Sequence, residues 1–513
     1  MLAKYLIRGE NKMKKIIYVF GVTFLAIVII LNILFTANMD ASEHIIINGN
    51  SIIYIVGLIL VGLLLFFATK LVEKHLYNDD TEIKKKIRKI LLIVALIIYI
   101  AFSIIWVFVV KPAVVGDQIH ACNLAQTFYR GNVEEFLPNM TYAGIPLSQY
   151  MQSYHQQISL AFVFSVFFRI IHFDTLEILR VLSIIGNILI VFALYNIGKQ
   201  LSKKYETNKV LLFTLILTFI SLPMLSTFIY GDIPSLALCL FSVYFMMKYT
   251  ETKKWKYPIF ASIFTMIAYM MRMNSLIFII ATVIYLLLNL FKEITKKTWK
   301  ENLLNIVIII MYLVIAIVPS SLVKNYYLNK YDLDKSKEYP NISYFLMAME
   351  EGPRANGWYN EVIGEYALKN PEAAREEYPD TIKERLTYFS ENIGYTFNFY
   401  TMKIASMWTE NTYSAVRNNI TRENDPLENM IEPLTFYQKV LLIITCLCSL
   451  IVLIQNRKNL SLELLFLITI FIGGFSFHIL WEAKSRYIIP YIVVLIPVAS
   501  ISIQKLNMKL KKQ

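Results

Sequence analysis

Apolar residues fall in long runs along this chain, separated by short polar connections. The clear runs are 16–36, 52–72, 90–110, 176–198, 208–229, 303–320, 437–455, 461–480 and 487–504, with a shorter one at 233–249. A helix needs about 20 mostly apolar residues to cross roughly 30 Å of hydrocarbon, so each run reads as one membrane span. The stretch 257–291 is too long for one span and carries Arg272, Met273 and Asn274 in its middle. It divides into two spans with a tight turn there. The pattern predicts an all-α polytopic membrane protein built on a bundle of about twelve transmembrane helices.

The run 158–173 ends in Arg169 and His172. Two readings stand. One is a juxtamembrane helix lying in the outer interface, the other a true span that forces a recount of its neighbours. The first keeps the alternation of the loops and is adopted. Two long polar segments remain, 111–175 and 321–436. Within the second, PEAAREEYPDTIKERLTYF (371–389) has helical spacing of apolar residues and mixed charge, which predicts a small, mainly helical outer domain. The chain therefore divides into two N-terminal helices with a basic loop (1–89), a membrane module with the first outer loop 111–175 (90–320), the outer domain (321–436) and C-terminal helices with a basic tail (437–513).

Composition sharpens this picture. The chain is 57% hydrophobic and 17% charged, against about 25% charged in ordinary soluble proteins. The net charge of +13 does not point to nucleic acid. Lys and Arg gather in alternate short loops, such as KKKIRK (84–89), KQLSKK (199–204) and KEITKKTWK (292–300), whereas 38–50 and 230–234 have neither. This asymmetry assigns both termini to the cytoplasm and gives the basic residues anionic lipid headgroups as partners. The N-terminal apolar run is too long for a cleaved signal and reads as a retained span. Richness in Lys, Ile and Asn suggests an AT-rich bacterial genome, and with the apolar runs the expected location is a bacterial cytoplasmic membrane. The four cysteines show no pairing or metal-ligand spacing, and no disulfide framework is expected.

Sidedness then isolates the candidate chemistry. Asp117 in VVGDQIHACNLAQ (114–126), Asp232 in YGDIPS (230–235), Arg272 with Asn274, and Glu482, Lys484 and Arg486 in WEAKSRY (481–487) all emerge at the outer face. Ionisable groups near membrane depth are costly and point to function. An acid there can take a proton from an acceptor hydroxyl, while Arg and Lys hold a departing lipid phosphate. Plainer roles compete. Asp232 before Ile-Pro also suits a helix N-cap, Lys484 and Arg486 suit headgroup anchors, and Glu482 suits a partner to them. His155, Gln156 and Gln157, in SQYMQSYHQQISL (148–160), either line an acceptor or sugar site or bond to headgroups. Trp358 and Trp408 either stack on a sugar or pack a core. No metal-ligand spacing and no phosphate-cradling Gly-rich loop occurs, so neither a metal nor another cofactor is expected.

In order, VVGDQ (114–118), YHQQISLAFVFSVFFRI (154–170), STFIYGDIPS (226–235), AYMMRMNSLIFI (268–279) and WEAKSRYIIPYIVVLIP (481–497) resemble the GT-C superfamily of membrane glycosyltransferases. The nearest branch is the bacterial family 39-like group of protein-O-mannosyltransferase-like and aminoarabinose-transferase-like enzymes. The likeness spans about 90–505. It implies a GT-C bundle, a polyprenyl-phosphate sugar donor, inverting transfer and an extracytoplasmic active site. By it, Asp117 matches the first-loop aspartate proposed as general base and Asp232 a second acidic position. Arg272 and Arg486 match cations near the donor phosphate, with Lys484 beside them. Gln118, Tyr154, His155, Gln156 and Glu482 fall where acceptor or sugar would lie. The chain departs from the simplest pattern in two extra N-terminal spans, and in Gln118 where some relatives carry a second acid. Acceptors left open are a cell-wall polymer, a surface polysaccharide, a glycolipid and a protein.

Two rival classes give different expectations. A lipid or solute transporter needs polar groups near the midplane and often inverted repeats, whereas the charges here sit at span ends. A polysaccharide polymerase or ligase relies on outer arginines without needing an outer-loop acid, so Asp117 discriminates it.

Overall fold

The computed structural model describes residues 2–40, 42–77, 81–114, 116–131, 141–142, 145–293, 299–420 and 425–503. Among them the backbone is almost wholly helical, and ten helices are long and apolar enough to cross a membrane. They begin with Gly9–Leu34, Ile52–Tyr77 and Glu82–Val110 and end with Pro426–Gln455 and Leu462–Leu480. The chain is a multi-pass membrane protein. Helices Ile52–Tyr77 and Glu82–Val110 leave Ile53, Leu64, Phe67, Ile98, Ile105 and Val109 exposed. So much apolar surface is untenable in water and suits hydrocarbon.

Two of the twelve expected spans take another form. The stretch 257–291 does turn at Arg272, but its first arm, Lys256–Met271, has only 16 residues, about 24 Å at 1.5 Å per residue. The run 487–504 forms no continuous helix. It breaks into short helical turns, Ser485–Ile488, Ile489–Val493 and Ile496–Ala499. Pro490 and Pro497 remove backbone donors and resist a helix continuing through them. The run is nevertheless buried from Ile488 to Ile501 apart from Pro490. Its end is stitched to the 206–208 loop, where Asn208 N donates to Ser500 O at 2.6 Å and Ser502 N to Glu206 O at 2.7 Å. Hydropathy reports burial of any kind, and here the burying medium is protein.

The connection between the first two spans is a β-hairpin rather than an unstructured loop. Phe35–Met39 pairs antiparallel with Ile45–Gly49, from Phe35 opposite Gly49 to Met39 opposite Ile45. The segment read as juxtamembrane is the 17-residue helix His155–Ile171. It buries Ile158, Ala161, Phe164 and Phe168 against helix Asp117–Arg130 and its surroundings, and Ser159 and Ser320 share a hydroxyl contact of 3.0 Å with helix Trp299–Lys330.

Helix Trp299–Lys330 runs ten residues beyond the expected end at 320. The polar region after it is helical, with Ile342–Met347, Glu361–Lys369, Pro371–Glu391 and Ile393–Trp408. A small core of its own holds Leu346, Met347, Ala374, Phe389 and Phe399. Trp358 and Trp408, by contrast, belong to the main core of the membrane part, 1% and 0% exposed. They pack; neither has a face left for a sugar.

Candidate active site

Asp117 opens helix Asp117–Arg130 after Gly116, whose φ of 60° suits glycine. The helix N-terminus favours its charge. Two phenols converge on it: Tyr150 OH donates to Oδ1 at 3.0 Å and Tyr230 OH to Oδ2 at 3.2 Å. Burial first, and Asp117 second, push both phenols well above their ordinary range, so they stay protonated donors. Gln118, one position on, turns to other work: its side-chain oxygen accepts the Ile229 N–H at 2.9 Å. It ties the Asp117 helix to the segment leading into Tyr230, in place of the expected sugar contact.

That segment, Phe228 to Asp232, organises the cations. Gly231 (φ 79°) turns the chain, and a Cβ there would meet Leu160 Cδ1 at 2.9 Å. Asp232 is the first residue of helix Asp232–Thr252 and makes no capping bond. Its Oδ1 instead lies 3.4 Å from Arg272 Nη2 and 3.7 Å from Arg486 Nε. The Arg272 guanidinium lies over the Tyr230 ring at 4.6 Å, and that of Arg486 over the Phe228 ring at 3.9 Å. Alternate residues 228, 230 and 232 thus seat two guanidinium groups and bridge them. Arg272 owes its place to the break between helix Lys256–Met271 and the turn Met273–Ser275, where its backbone is extended. Arg486 sits on the turn Ser485–Ile488.

Around this centre the expected residues divide. Tyr154 packs between Tyr150, tilted at 5.0 Å between centroids, and Tyr339, stacked at 5.5 Å, and feels the charge of Asp117. Gln157 reaches the site, donating to Tyr230 OH, whereas its neighbour Gln156 is half-buried on the same helix. His155 lines a different, polar cavity with Lys324, Asn325 and Lys335, and its Nδ1 is 3.2 Å from Glu338 Oε1. Lys484 Nζ lies 3.1 and 3.2 Å from the two oxygens of Glu43, which also pairs with Arg354. Glu482 is 8% exposed. Burial pushes its carboxyl up to about 7, against the pull of Lys484 and Arg354.

Several supporting residues carry no sequence signal of their own. Glu43 and Arg354 come from segments far from every quoted motif. Lys403, fully buried, donates from Nζ to the carbonyls of Ala348, Ile479 and Trp481 at 2.8, 2.9 and 3.1 Å, pinning the start of the loop that carries Lys484 and Arg486. Burial pushes its ammonium down to about 7. Glu410 accepts from Thr412 Oγ1 and from the Ser414 N–H at 2.8 Å, holding Tyr413 and Ser414 at positive φ. Ser414 Oγ then meets Ser485 Oγ at 2.9 Å, next to Arg486. No group of three or more His, Cys, Asp or Glu that could hold a metal occurs among the described residues.

Residues 156–318 match the sequence profile of a family described as dolichyl-phosphate-mannose-protein mannosyltransferase. The matched stretch contains Gln157, Tyr230, Asp232 and Arg272, while Asp117, Lys484 and Arg486 lie outside it. The match supports the likeness to GT-C membrane glycosyltransferases that the motifs carry. No significant match was found among curated proteins. One similar solved structure is the archaeal oligosaccharyltransferase AglB from Archaeoglobus fulgidus in complex with an inhibitory peptide and a dolichol-phosphate. It is 12% identical, with a TM-score of 0.40 over 80% of this chain and 50% of that one. The chain thus spans half the length of that protein, and a likeness at this score carries no argument.

Proposed function

We propose that this membrane glycosyltransferase, similar over residues 156–318 to the mannosyltransferase family, moves a sugar from a polyprenyl-phosphate donor to an acceptor hydroxyl at the outer face of a bacterial membrane. Asp117 takes the hydroxyl proton. The acceptor oxygen attacks the anomeric carbon from the face opposite the phosphate, the bond from that carbon to the phosphate oxygen breaks, and configuration inverts. The polyprenyl phosphate leaves as an anion toward Arg272, Arg486 and Lys484. Cations matter most there because charge builds on the leaving oxygen in the transition state. Asp232 holds the two guanidinium groups at a set spacing. No metal is required in this scheme.

The observation that carries the reading is Tyr230. Its hydroxyl bonds the acid at 3.2 Å and its ring lies under a guanidinium at 4.6 Å. A carboxylate and a guanidinium thus flank one side chain, an arrangement that supports a sugar held between an acceptor hydroxyl and a phosphate. In this reading Tyr154, Gln157 and Glu482 contact the sugar or acceptor.

The test supplies radiolabelled polyprenyl-phosphate sugars to membranes with and without the protein and follows which cell-envelope glycan, lipid or protein gains label. Label that appears only with the protein, and not with Asp117→Asn, supports the reading. Equal labelling by Asp117→Asn points instead to a polymerase or ligase that needs no acid.

A further inference from the structure

The hairpin between the first two spans has no task in the scheme above, yet it is built with care. Asp40 Oδ1 accepts from the Ser42 and His44 N–H groups at 2.8 and 2.9 Å, and Asp40 Oδ2 meets His44 Nδ1 at 3.2 Å. This leaves Glu43 at the tip with φ 61°, a left-handed conformation that a residue with a Cβ adopts only at a cost. Such strain persists where the surroundings over-determine it. Here they do. Ile45 N donates to Arg354 O at 2.8 Å, Ala37 N to Thr409 O at 3.3 Å, and Lys439 Nζ holds Phe35 O at 2.6 Å. The docked hairpin delivers the Glu43 carboxylate to Lys484 and Arg354.

The charges facing Lys484 can be counted by element. The hairpin gives Glu43, while its Asp40 and His44 face one another. The loop before helix Glu361–Lys369 gives Arg354, which also pairs with Glu361 at 2.9 Å. The loop of Lys484 itself gives Arg486 and Glu482. Without Glu43, a partly buried ammonium would face two guanidinium groups and only the reluctant acid Glu482. Glu43 meets the ammonium through both oxygens from one side, and an ammonium has three donors, so capacity for a phosphate oxygen remains.

We propose that Glu43 is a positioning residue of the donor site: the hairpin of the two extra N-terminal helices supplies it to keep Lys484 protonated and held for the lipid phosphate. This rests on the reading of Lys484 as a donor cation. Burial pushes the Lys484 ammonium below its ordinary value and Glu43 is the first charge to oppose that, so removing Glu43 lowers it further.

The test uses the full chain in lipid nanodiscs and trace acetylation by acetic anhydride across alkaline and neutral pH, read at the Lys484 peptide by mass spectrometry. In Glu43→Gln the labelling midpoint is expected to fall by about one pH unit or more, the usual effect of losing an opposite charge at this distance. Glu43→Asp is expected to restore part of the shift. Lys439, buried against the hairpin, stays protected while the hairpin remains docked. In parallel, the donor KM of Glu43→Gln is expected to rise above the new midpoint and to change less below it. An unmoved midpoint with Lys439 still protected overturns the proposal, as does a donor KM that falls. If Glu43→Gln undocks the hairpin, Glu43→Asp carries the test: with Lys439 still protected, a midpoint between those of wild type and Glu43→Gln, or at the wild-type value, supports the proposal, and one that falls as far as in Glu43→Gln overturns it. A wild type inert toward polyprenyl-phosphate sugars, with the midpoint shift intact, instead overturns the proposed function and the donor-site role, while the hold of Glu43 on Lys484 stands.

Discussion

Replacing Asp117 by Asn separates chemistry from structure with the least disturbance. The side-chain shape is unchanged, and an amide oxygen can still accept from Tyr150 or Tyr230, which now stand 3.0 and 3.2 Å from the carboxylate. The amide nitrogen faces the second phenol oxygen as a donor. What disappears is the proposed base. A positioned general base contributes about 10²–10⁴-fold, or about 3–5 kcal/mol of barrier at roughly 1.4 kcal/mol per tenfold. The stability cost is smaller, because one exposed-end charge at a helix N-terminus is worth about 0.3–1 kcal/mol. The assay is the initial rate of sugar transfer from a saturating radiolabelled donor in membranes, beside a thermal-unfolding measurement of the same preparation. A kcat reduced at least a hundredfold, with unfolding shifted by a few degrees at most, is expected. Transfer within about threefold of wild type removes Asp117 as the base, whatever its neighbours suggest.

Three further outcomes follow from the same geometry. Arg486→Ala should raise donor KM and lower kcat together, and Arg486→Lys should restore little, since a compact ammonium cannot stack on Phe228 as the guanidinium does at 3.9 Å; steady-state kinetics with varied donor check this. The Glu482 carboxyl is raised from 4.5 to about 7 in the fold, so the stability it contributes is complete below about pH 4.5 and lost as pH rises toward 7. Glu482→Gln should therefore gain stability relative to wild type across that window, by at most about 3 kcal/mol, and a difference in unfolding temperature that is flat with pH would refute it. Chelation by EDTA should leave transfer unchanged, as the partners of Asp117 and Asp232 are phenols and guanidinium groups; restored activity on adding back a divalent ion would refute that.

How far the sequence could be read depended on the range of each interaction. Asp232, Arg272 and Arg486 were legible because hydropathy and loop charge put them at span ends, and all three meet. Tyr230 stood inside a quoted motif without being singled out, since nothing in a tyrosine's neighbours in sequence shows that it will bond an acid 113 residues away. Within HQQ the choice between Gln156 and Gln157 turned on a helix face that periodicity alone does not fix to one residue. Glu43 and Arg354 were hidden for a stronger reason, because Glu43 lies 441 positions from Lys484 and 311 from Arg354. The fold was legible in class and in most spans. At 487–504 the apolar content was legible, but the proline-broken backbone and its burial in protein rather than lipid were not.

The proline-broken strip from Ile488 to Ile501 depends on its neighbours. Irregular backbone cannot enter lipid by itself, because its amide groups would find no partner there. Its amide groups need protein around them instead, and the tie to Asn208 and Glu206 supplies part of it. Arg486 precedes that strip directly. The guanidinium of Arg486 therefore keeps its place beside Asp232 only as long as the neighbouring helices keep that strip enclosed.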